Sequence, residues 1–424
     1  MSELSYLEKL LDGAGVEWIT LEKLIKSLKT GLNPRKNFIL NTDDAEGYYV
    51  TVREISNNDI IITDKTDRVN NDALNVINNR SNLEVGDVLF SGVGTVGRTA
   101  VINSEPKNWN IKEGVYVIKP LQEILAPRYL NYLLNSKEIV NDYTKKVAGS
   151  PVVSLAMSEL KKLLIPIPCP NNPEKSLAIQ AEIVRILDKF TALTAELTAE
   201  LTARRKQYNY YRDQLLNFEE WVALGNIGDF TYGYVAKAKN SGEARFVRIS
   251  DINTSGKLSQ DERMYVDITD NNQKFILRKY DLLMARTGAT FGKTMMFEED
   301  YPAIYAGFLI KLTLDKTKVI PKYYWHFSQS SYFWEQANKL VSGGGQPQFN
   351  ANVLKQVSMP IPFPDDLNKS LSEQNRIVSL LDKFDTIASS FTEGLPREIE
   401  LRQKQYEYYR DLLFSFPKPE SVTK

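Results

Sequence analysis

The chain has 424 residues, 42% hydrophobic and 25% charged, with 53 basic and 53 acidic side chains, which excludes a disordered segment and allows two or more domains with their own cores. One cysteine, Cys169, and one histidine, His326, exclude an internal disulfide and leave almost nothing for a Cys/His metal site. No run approaches eighteen apolar residues and the acidic opening MSELSYLEKLLDG is unlike a signal peptide, so a cytoplasmic chain without a membrane span is expected.

Residues 6–12 read as the end of a helix, and Tyr6, Leu10, Leu11 and Asp12 echo Tyr211, Leu215, Leu216 and Asn217 further on. Both stretches run into a tryptophan with a leucine three residues later, Trp18 with Leu21 and Trp221 with Leu224. A start that mimics the end of an internal repeat predicts a quasi-circular layout in which the termini meet and the halves are related by a pseudo-two-fold. From 15 to 165 short strand-like runs at 48–52, 59–63, 87–90 and 115–119 lie among Asn, Gly and Asp turns. A helix over 127–146 follows, with Pro127 in the first turn, where its missing amide hydrogen costs nothing.

Residues 172–217 form a long helix. Ile179, Ile183, Ile186, Phe190, Leu193 and Leu197 step mostly by three and four, a narrow stripe fit for one partner helix. Some 45 helical residues span roughly 65–70 Å. The tetrapeptide TAEL occurs twice in it, at 194–197 and 198–201. The second half repeats the plan at an offset of 194: strands near 246–249 and 281–284, a helix over 321–340, and a second long helix over 368–416. PIPCPNNPEKSLAIQAEIVRILDKF at 166–190 returns as PIPFPDDLNKSLSEQNRIVSLLDKF at 360–384, and RRKQYNYYRDQLLNF at 204–218 returns as RQKQYEYYRDLLFSF at 402–416. Between these words the offset rises from 194 to 198, a stutter of about one turn, and Leu395-Pro396 predicts a kink or break. The chain reads as a tandem duplication, α+β in class: two globular domains separated by two long antiparallel, coiled-coil-like helices, each the other's expected partner.

The loop 91–98, SGVGTVGR, contains G-x-G-x-x-G, but a dinucleotide cradle needs a helix to open there and the chain continues with the β-branched RTAVI. The second copy, 286–293, has Arg286, Thr287, Gly288 and Gly292 before Lys293 and lacks the fingerprint. A glycine hairpin fits better: Gly97 permits close backbone approach, and Arg98 and Lys293 suit phosphate or guanine. Gln346 and Gln348 lie in a polar loop, 342–350, matched by Gly149, Ser150 and Pro151; Gln is able to pair with adenine, and a plain connector is the alternative. Arg53, Arg245 and Arg248 sit on or beside strand-like runs, where structural ion pair and DNA contact are both open. Tyr208, Tyr211 and Arg212, with Tyr406, Tyr409 and Arg410 in the second copy, carry the stripe and are assigned to helix packing and partner docking rather than base stacking. His326 reads as packed core.

Two dissimilar globular parts, each followed by a similar long helix bearing PIPxP, LDKF, TAEL and KQYxYYRD words, resemble the specificity subunits of type I restriction–modification systems, and the helical words look like the type IC group. The resemblance implies target recognition domains at 1–170 and 218–366, helices at 171–217 and 367–416 that set the spacer of a split target, and a tail at 417–424. It implies double-stranded DNA as ligand, two modification (methyltransferase) subunits docked on the helices, and restriction/translocase subunits joining them. S-adenosylmethionine, and ATP with Mg, would then sit on those partners, with no cofactor and no catalysis in this chain. Zero net charge counts against unaided DNA binding, and partner subunits would complete the clamp. The rival readings are a helical protein-binding scaffold and a nucleotide-dependent enzyme using the 92–97 loop.

Overall fold

The structure is a computed structural model and describes residues 5–34, 37–149, 151–342, 348–389 and 394–418. The chain divides into two compact units, Met1–Ala195 with Leu401–Lys424, and Glu196–Glu400. Each unit is α+β and is made of three pieces of chain: a globular domain, the start of the long helix that follows it, and the end of the other long helix.

The first unit is built on an antiparallel sheet in the order Ile25–Thr30, Val115–Pro120, Val88–Ser91, Thr99–Val101. The second repeats it with Gly228–Tyr232, Leu309–Leu314, Leu282–Ala285, Thr294–Met296. The central strands Val88–Ser91 and Leu282–Ala285 are near-continuous apolar runs because both faces are covered. Val88 and Phe90 enter one core cluster while Leu89 enters another, as the two-residue period of a strand requires. Leu282 and Met284 divide from Leu283 and Ala285 in the same way. Beside each sheet lies a three-stranded one with a parallel pair, Gly47–Val50 against Trp109–Ile111 and Ala244–Val247 against Ala303–Tyr305. The PIPxP words begin in strands: Leu164–Pro168 pairs with Val16–Thr20, and Ser358–Pro360, which holds only the first proline of the second word, with Trp221–Ala223, closing each domain where the chain comes in and leaves. Proline is tolerated there because each is an edge pair.

The helix expected over 127–146 is two, Pro127–Leu134 and Lys137–Thr144, and that over 321–340 is Pro321–Phe327 and Ser331–Leu340. Local side-chain bonds break them. Ser136 Oγ donates to Leu133 O at 2.7 Å and Asn135 Nδ2 to Asn131 O at 2.8 Å, while Ser330 Oγ accepts from Phe333 N at 3.2 Å. The first long helix, Pro173–Leu215, runs unbroken for 43 residues, about 65 Å. The second is Leu367–Ser389 and Leu395–Leu413, with Gly394 at φ +82° and Pro396 in the first turn of the new helix, where proline fits; 390–393 lie outside the described residues.

The repeated S-x-x-x-Q of the long helices anchors each domain. In the first unit Gln180 Oε1 accepts from Ala126 N at 2.9 Å and its Nε2 donates to Ile124 O and Ser176 Oγ, at the start of Pro127–Leu134. In the second, Gln374 accepts from Ile320 N at 2.9 Å and donates to Lys318 O and Ser370 Oγ. Both amides are fully buried. The two ends of the chain meet in the first unit: Leu7 and Leu11 share a core cluster with Leu413 and Phe414, and Trp18 Nε1 donates to Pro417 O at 2.9 Å. Trp221 Nε1 donates to Phe218 O at 2.8 Å, the continuous-chain version of that contact. The side chain of Tyr6 lies outside the described residues.

Gln374→Ala strands a buried N–H and C=O, at about 1–3 kcal/mol each, so we expect it to destabilise the second unit by about 2–6 kcal/mol in urea unfolding. A loss below about 0.5 kcal/mol, the scale of an ordinary surface change, would contradict this role.

Candidate nucleic-acid interface

The 91–98 loop is a hairpin between two strands, Val88–Ser91 and Thr99–Val101, and opens no helix, so the cradle that a dinucleotide needs is missing at it. Ser91 holds the turn, its Oγ donating to Thr95 O at 2.6 Å and accepting from Arg98 N at 2.8 Å. Gly97 is obligatory: its φ is +98°, and a Cβ would stand 2.2 Å from the Tyr143 hydroxyl. The polar loop that follows the domain helices is stitched to this hairpin, Gly94 N donating to Val153 O at 2.8 Å. In the second unit Phe349 N donates to Arg286 O at 2.8 Å, and Thr287 bridges Gln348. Two stretches singled out separately in the sequence are thus one surface in each unit. Gln346 lies outside the described residues, and Gln348 is half-buried.

The basic residues differ in how far they are committed. Arg98 Nη1 donates to Val52 O at 2.9 Å, so its guanidinium is tied to the loop carrying Arg53. Arg53 is exposed and pairs with Asp67 at 2.8 Å. Arg248 pairs with Asp251 at 2.8 Å, and the hydrogen bond it donates to that carboxylate raises its pKa. Arg245 is buried against Tyr301 and Ser259. For Lys293 there is no carboxylate partner among the described residues; its ammonium lines a cleft of about 300 Å3 with Arg205, Arg212, Asn253, Ser255 and Gln329. The first unit has a cleft of about 400 Å3 at the equivalent place, lined by Arg98, Asn58, Thr99, Asn135, Gln403 and Arg410. Neither cleft has an acidic residue in its lining. A larger groove, about 660 Å3 beside Pro127 and Val184, has Arg128, Arg185 and Lys189 in its lining, and unlike the two clefts it also holds an acid, Asp188.

The helix words reach these clefts from the other side. In the second unit Tyr208 is buried under the Arg212 guanidinium at 5.2 Å, and Asp213 Oδ1 accepts from Ser331 N at 3.4 Å. In the first unit Arg410 stands 5.6 Å over buried Tyr406, and Asp411 Oδ1 accepts from Lys137 N at 2.9 Å. These six residues of the YxxxRD words are therefore engaged with their own unit. Tyr211 and Tyr409 stay part-exposed, stacked on Phe384 at 5.5 Å and Phe190 at 5.3 Å.

His326 is core, as its setting implied, but with a function for both ring nitrogens. Nδ1 meets the Tyr208 hydroxyl at 2.9 Å and Nε2 meets Asp382 Oδ1 at 2.9 Å, while Lys322 pairs with the other oxygen at 2.9 Å. Burial lowers the His326 pKa, and the attraction of Asp382 does not restore it. Burial works to raise Asp382, and the bonds from His326 and Lys322 more than offset it, so its carboxyl lies below the usual range. The matching place in the first unit holds Tyr132, which donates to Asp188 at 2.7 Å, and burial pushes its pKa up to about 12.

Residues 14–204 and 219–401 match the family described as type I restriction modification DNA specificity domain. The chain belongs to this family: it is a DNA specificity subunit of the type I restriction–modification kind, a non-catalytic component. It is 37% identical, over the full length of both chains, to the type I restriction enzyme EcoR124I/EcoR124II specificity subunit of Escherichia coli. The EcoprrI specificity subunit of Escherichia coli is 33% identical, with 93% of each chain covered. Among solved structures, the type I restriction–modification S subunit from M. genitalium has the same fold, with a TM-score of 0.51 at 16% identity over 96% of this chain and 98% of that one. A structure from work on assembly and conformational transition of the type I R-M system gives 0.58 at 16% identity over 94% and 97%. No described helix is long and apolar enough to cross a membrane.

Because the folded pKa of His326 is lowered, the unfolded chain takes up this proton first as pH falls. The stabilisation from the neutral ring is complete above about pH 6.5 and is lost below it, by at most about 1.4 kcal/mol per pH unit. We expect melting of the second unit to drop between pH 7 and 5.5 and the drop to shrink in His326→Gln. Equal pH slopes in the two proteins would rule out this ring as the source.

Proposed function

We propose that each unit reads one half of a split duplex target, the residues 1–170 domain one half and the 218–366 domain the other, and that the helices over 171–217 and 367–416 set the gap. The observation that carries this is the pair of equivalent clefts, each with a glycine-hairpin cation, amide and hydroxyl donors and helix residues, and no acid in its lining. Phosphate backbone is the ligand such a lining suits, and the adjoining loops supply Arg286, Thr287 and Gln348 for base edges. In this reading Arg53, Gly97 and Arg98 face DNA in the first unit and Arg248 and Lys293 do so in the second; Gln346, assigned to base contact from the sequence, lies outside the described residues. Two modification subunits dock on the helices, with Tyr211 and Tyr409 presenting the part-exposed stacked rings, and restriction/translocase subunits join that assembly in the cytoplasm. S-adenosylmethionine, and ATP with Mg, belong to those partners. The paired TAEL tetrapeptides support placement in the type IC group.

One tetrapeptide adds about 6 Å of helix, against roughly 3.4 Å per base pair. Deleting Thr198–Leu201 is expected to shorten the spacer of the methylated motif while both half-sites persist, read by mapping methylated adenines in cells carrying the chain and its modification subunit. An unchanged motif would overturn the ruler. Lys293→Ala is expected to weaken binding of the assembled methyltransferase to all sequences alike and to lower the slope of log K against log salt by about one. An unaltered slope would remove Lys293 from the phosphate contacts.

A further inference from the structure

The two units share a backbone plan at the mouth of the hairpin, and they differ there in three side chains at once. In the second unit Arg286 N donates to Phe308 O at 3.1 Å, and Tyr232 lies on the neighbouring strand, paired one step away, opposite Ile310. In the first, Gly92 N donates to Gly114 O at 2.8 Å, and Thr30 lies opposite Tyr116. Arg286, Phe308 and Tyr232 therefore stand where Gly92, Gly114 and Thr30 stand in the other copy. The first unit has no room for the change, since a Cβ on Gly92 would come within 2.1 Å of the Tyr116 ring and one on Gly114 within 2.9 Å of Val93.

In the second unit the three side chains form one device. The Arg286 guanidinium carbon is 5.0 Å from the Tyr232 ring centre and 5.5 Å from that of Phe308. Both rings are otherwise open to solvent, at 43% and 57% exposure, which is unusual for aromatics with only a packing role. Arg286 Nε donates to Gly307 O at 3.2 Å, and the Tyr232 hydroxyl accepts from Ala351 N at 3.1 Å, so the cation and one of its flanking rings are pinned. Neither terminal nitrogen of Arg286 has a hydrogen-bond partner among the described residues, and neither is among the buried unpaired atoms, so both reach solvent. No carboxylate pairs with it among the described residues.

A cation anchored through Nε beside two rings, with its two terminal nitrogens free, is organised in advance for a planar acceptor pair. The duplex offers that pair on the major-groove edge of guanine, O6 and N7, and a planar fork matches both acceptors in a fixed geometry that a flexible lysine ammonium does not hold. We propose that Arg286 reads a guanine in the half-site of the second unit, with Tyr232 and Phe308 as positioning residues, and that the first unit has no equivalent reader. This rests on the reading of 218–366 as a recognition domain.

The test uses the chain assembled with its modification subunits: the methylated motif is mapped, then binding is measured with each of the four base pairs at every half-site position. For the native chain we expect discrimination for one G·C pair that falls about tenfold or more in Arg286→Lys and in Arg286→Gln, with the other half-site unchanged. Phe308→Ala is expected to lower the same discrimination by less. If the Gln variant does not fold, the Lys variant retains stem and charge and decides alone. Uniform weakening across sequences would make Arg286 a phosphate contact, and unchanged discrimination would remove it; either overturns the proposal. A native assembly with no split motif would instead bring down the recognition reading itself.

Discussion

Backbone groups that no helix or strand satisfies must find partners, and at the starts of the domain helices the partners come from the long helices. The domain helices begin at Pro127 and Pro321 with amides and carbonyls facing the interior, and the carboxamides of Gln180 and Gln374 meet them. The second helix of each domain begins at Lys137 or Ser331, and there Asp411 or Asp213 accepts the first amide. Each domain is therefore bonded to the start of one long helix and the end of the other. Neither attachment tolerates rotation of the domain on its helices, because directional hydrogen bonds rather than apolar contact alone define it. A scaffold that is to hold two reading heads at a set distance needs this property.

The same constraint explains what the repeated words are for. S-x-x-x-Q, LDKF and YxxxRD recur because both copies must solve one docking problem inside the chain, and Asp188 and Asp382 show it most directly. Each lies on a long helix and holds a tyrosine or histidine of the domain together with Arg128 or Lys322. Tyr208 and Tyr406 follow suit as buried packing groups. Where the frameworks coincide but the side chains diverge, at Arg286, Phe308 and Tyr232 against Gly92, Gly114 and Thr30, the two units have been free to become different readers.

Much of this was legible from spacing. The duplication, the two α+β domains, the long helices and the break at Leu395-Pro396 follow from repeated words and apolar periodicity, and the glycine hairpin from the absence of a helical run after Gly97. The split of the 127–146 helix was not, since Ser136 and Asn135 break it through local side-chain bonds that an apolar period does not register. Nor were the parallel strand pairs or the clefts, because Arg98 meets Arg410, and Lys293 meets Arg205, only through folding. Assigning the tyrosines to packing was read from the stripe; their domain partners, His326 among them, were invisible until the helix ends were placed. The Arg286 device was not legible because its three members are far apart in sequence: Tyr232 ends one strand, Arg286 follows Leu282–Ala285, and Phe308 precedes Leu309–Leu314.

The central claim is that one unit reads one half of the target while the helices alone determine the gap. The most direct measurement is to replace residues 219–357 with the corresponding segment of another specificity subunit of this family, keeping Gln374, Asp382 and both long helices, and to map the methylated motif. The account predicts that one half-site changes to the donor's, with the other half and the spacer length untouched. A change in both halves, or in the spacer alone, would contradict it.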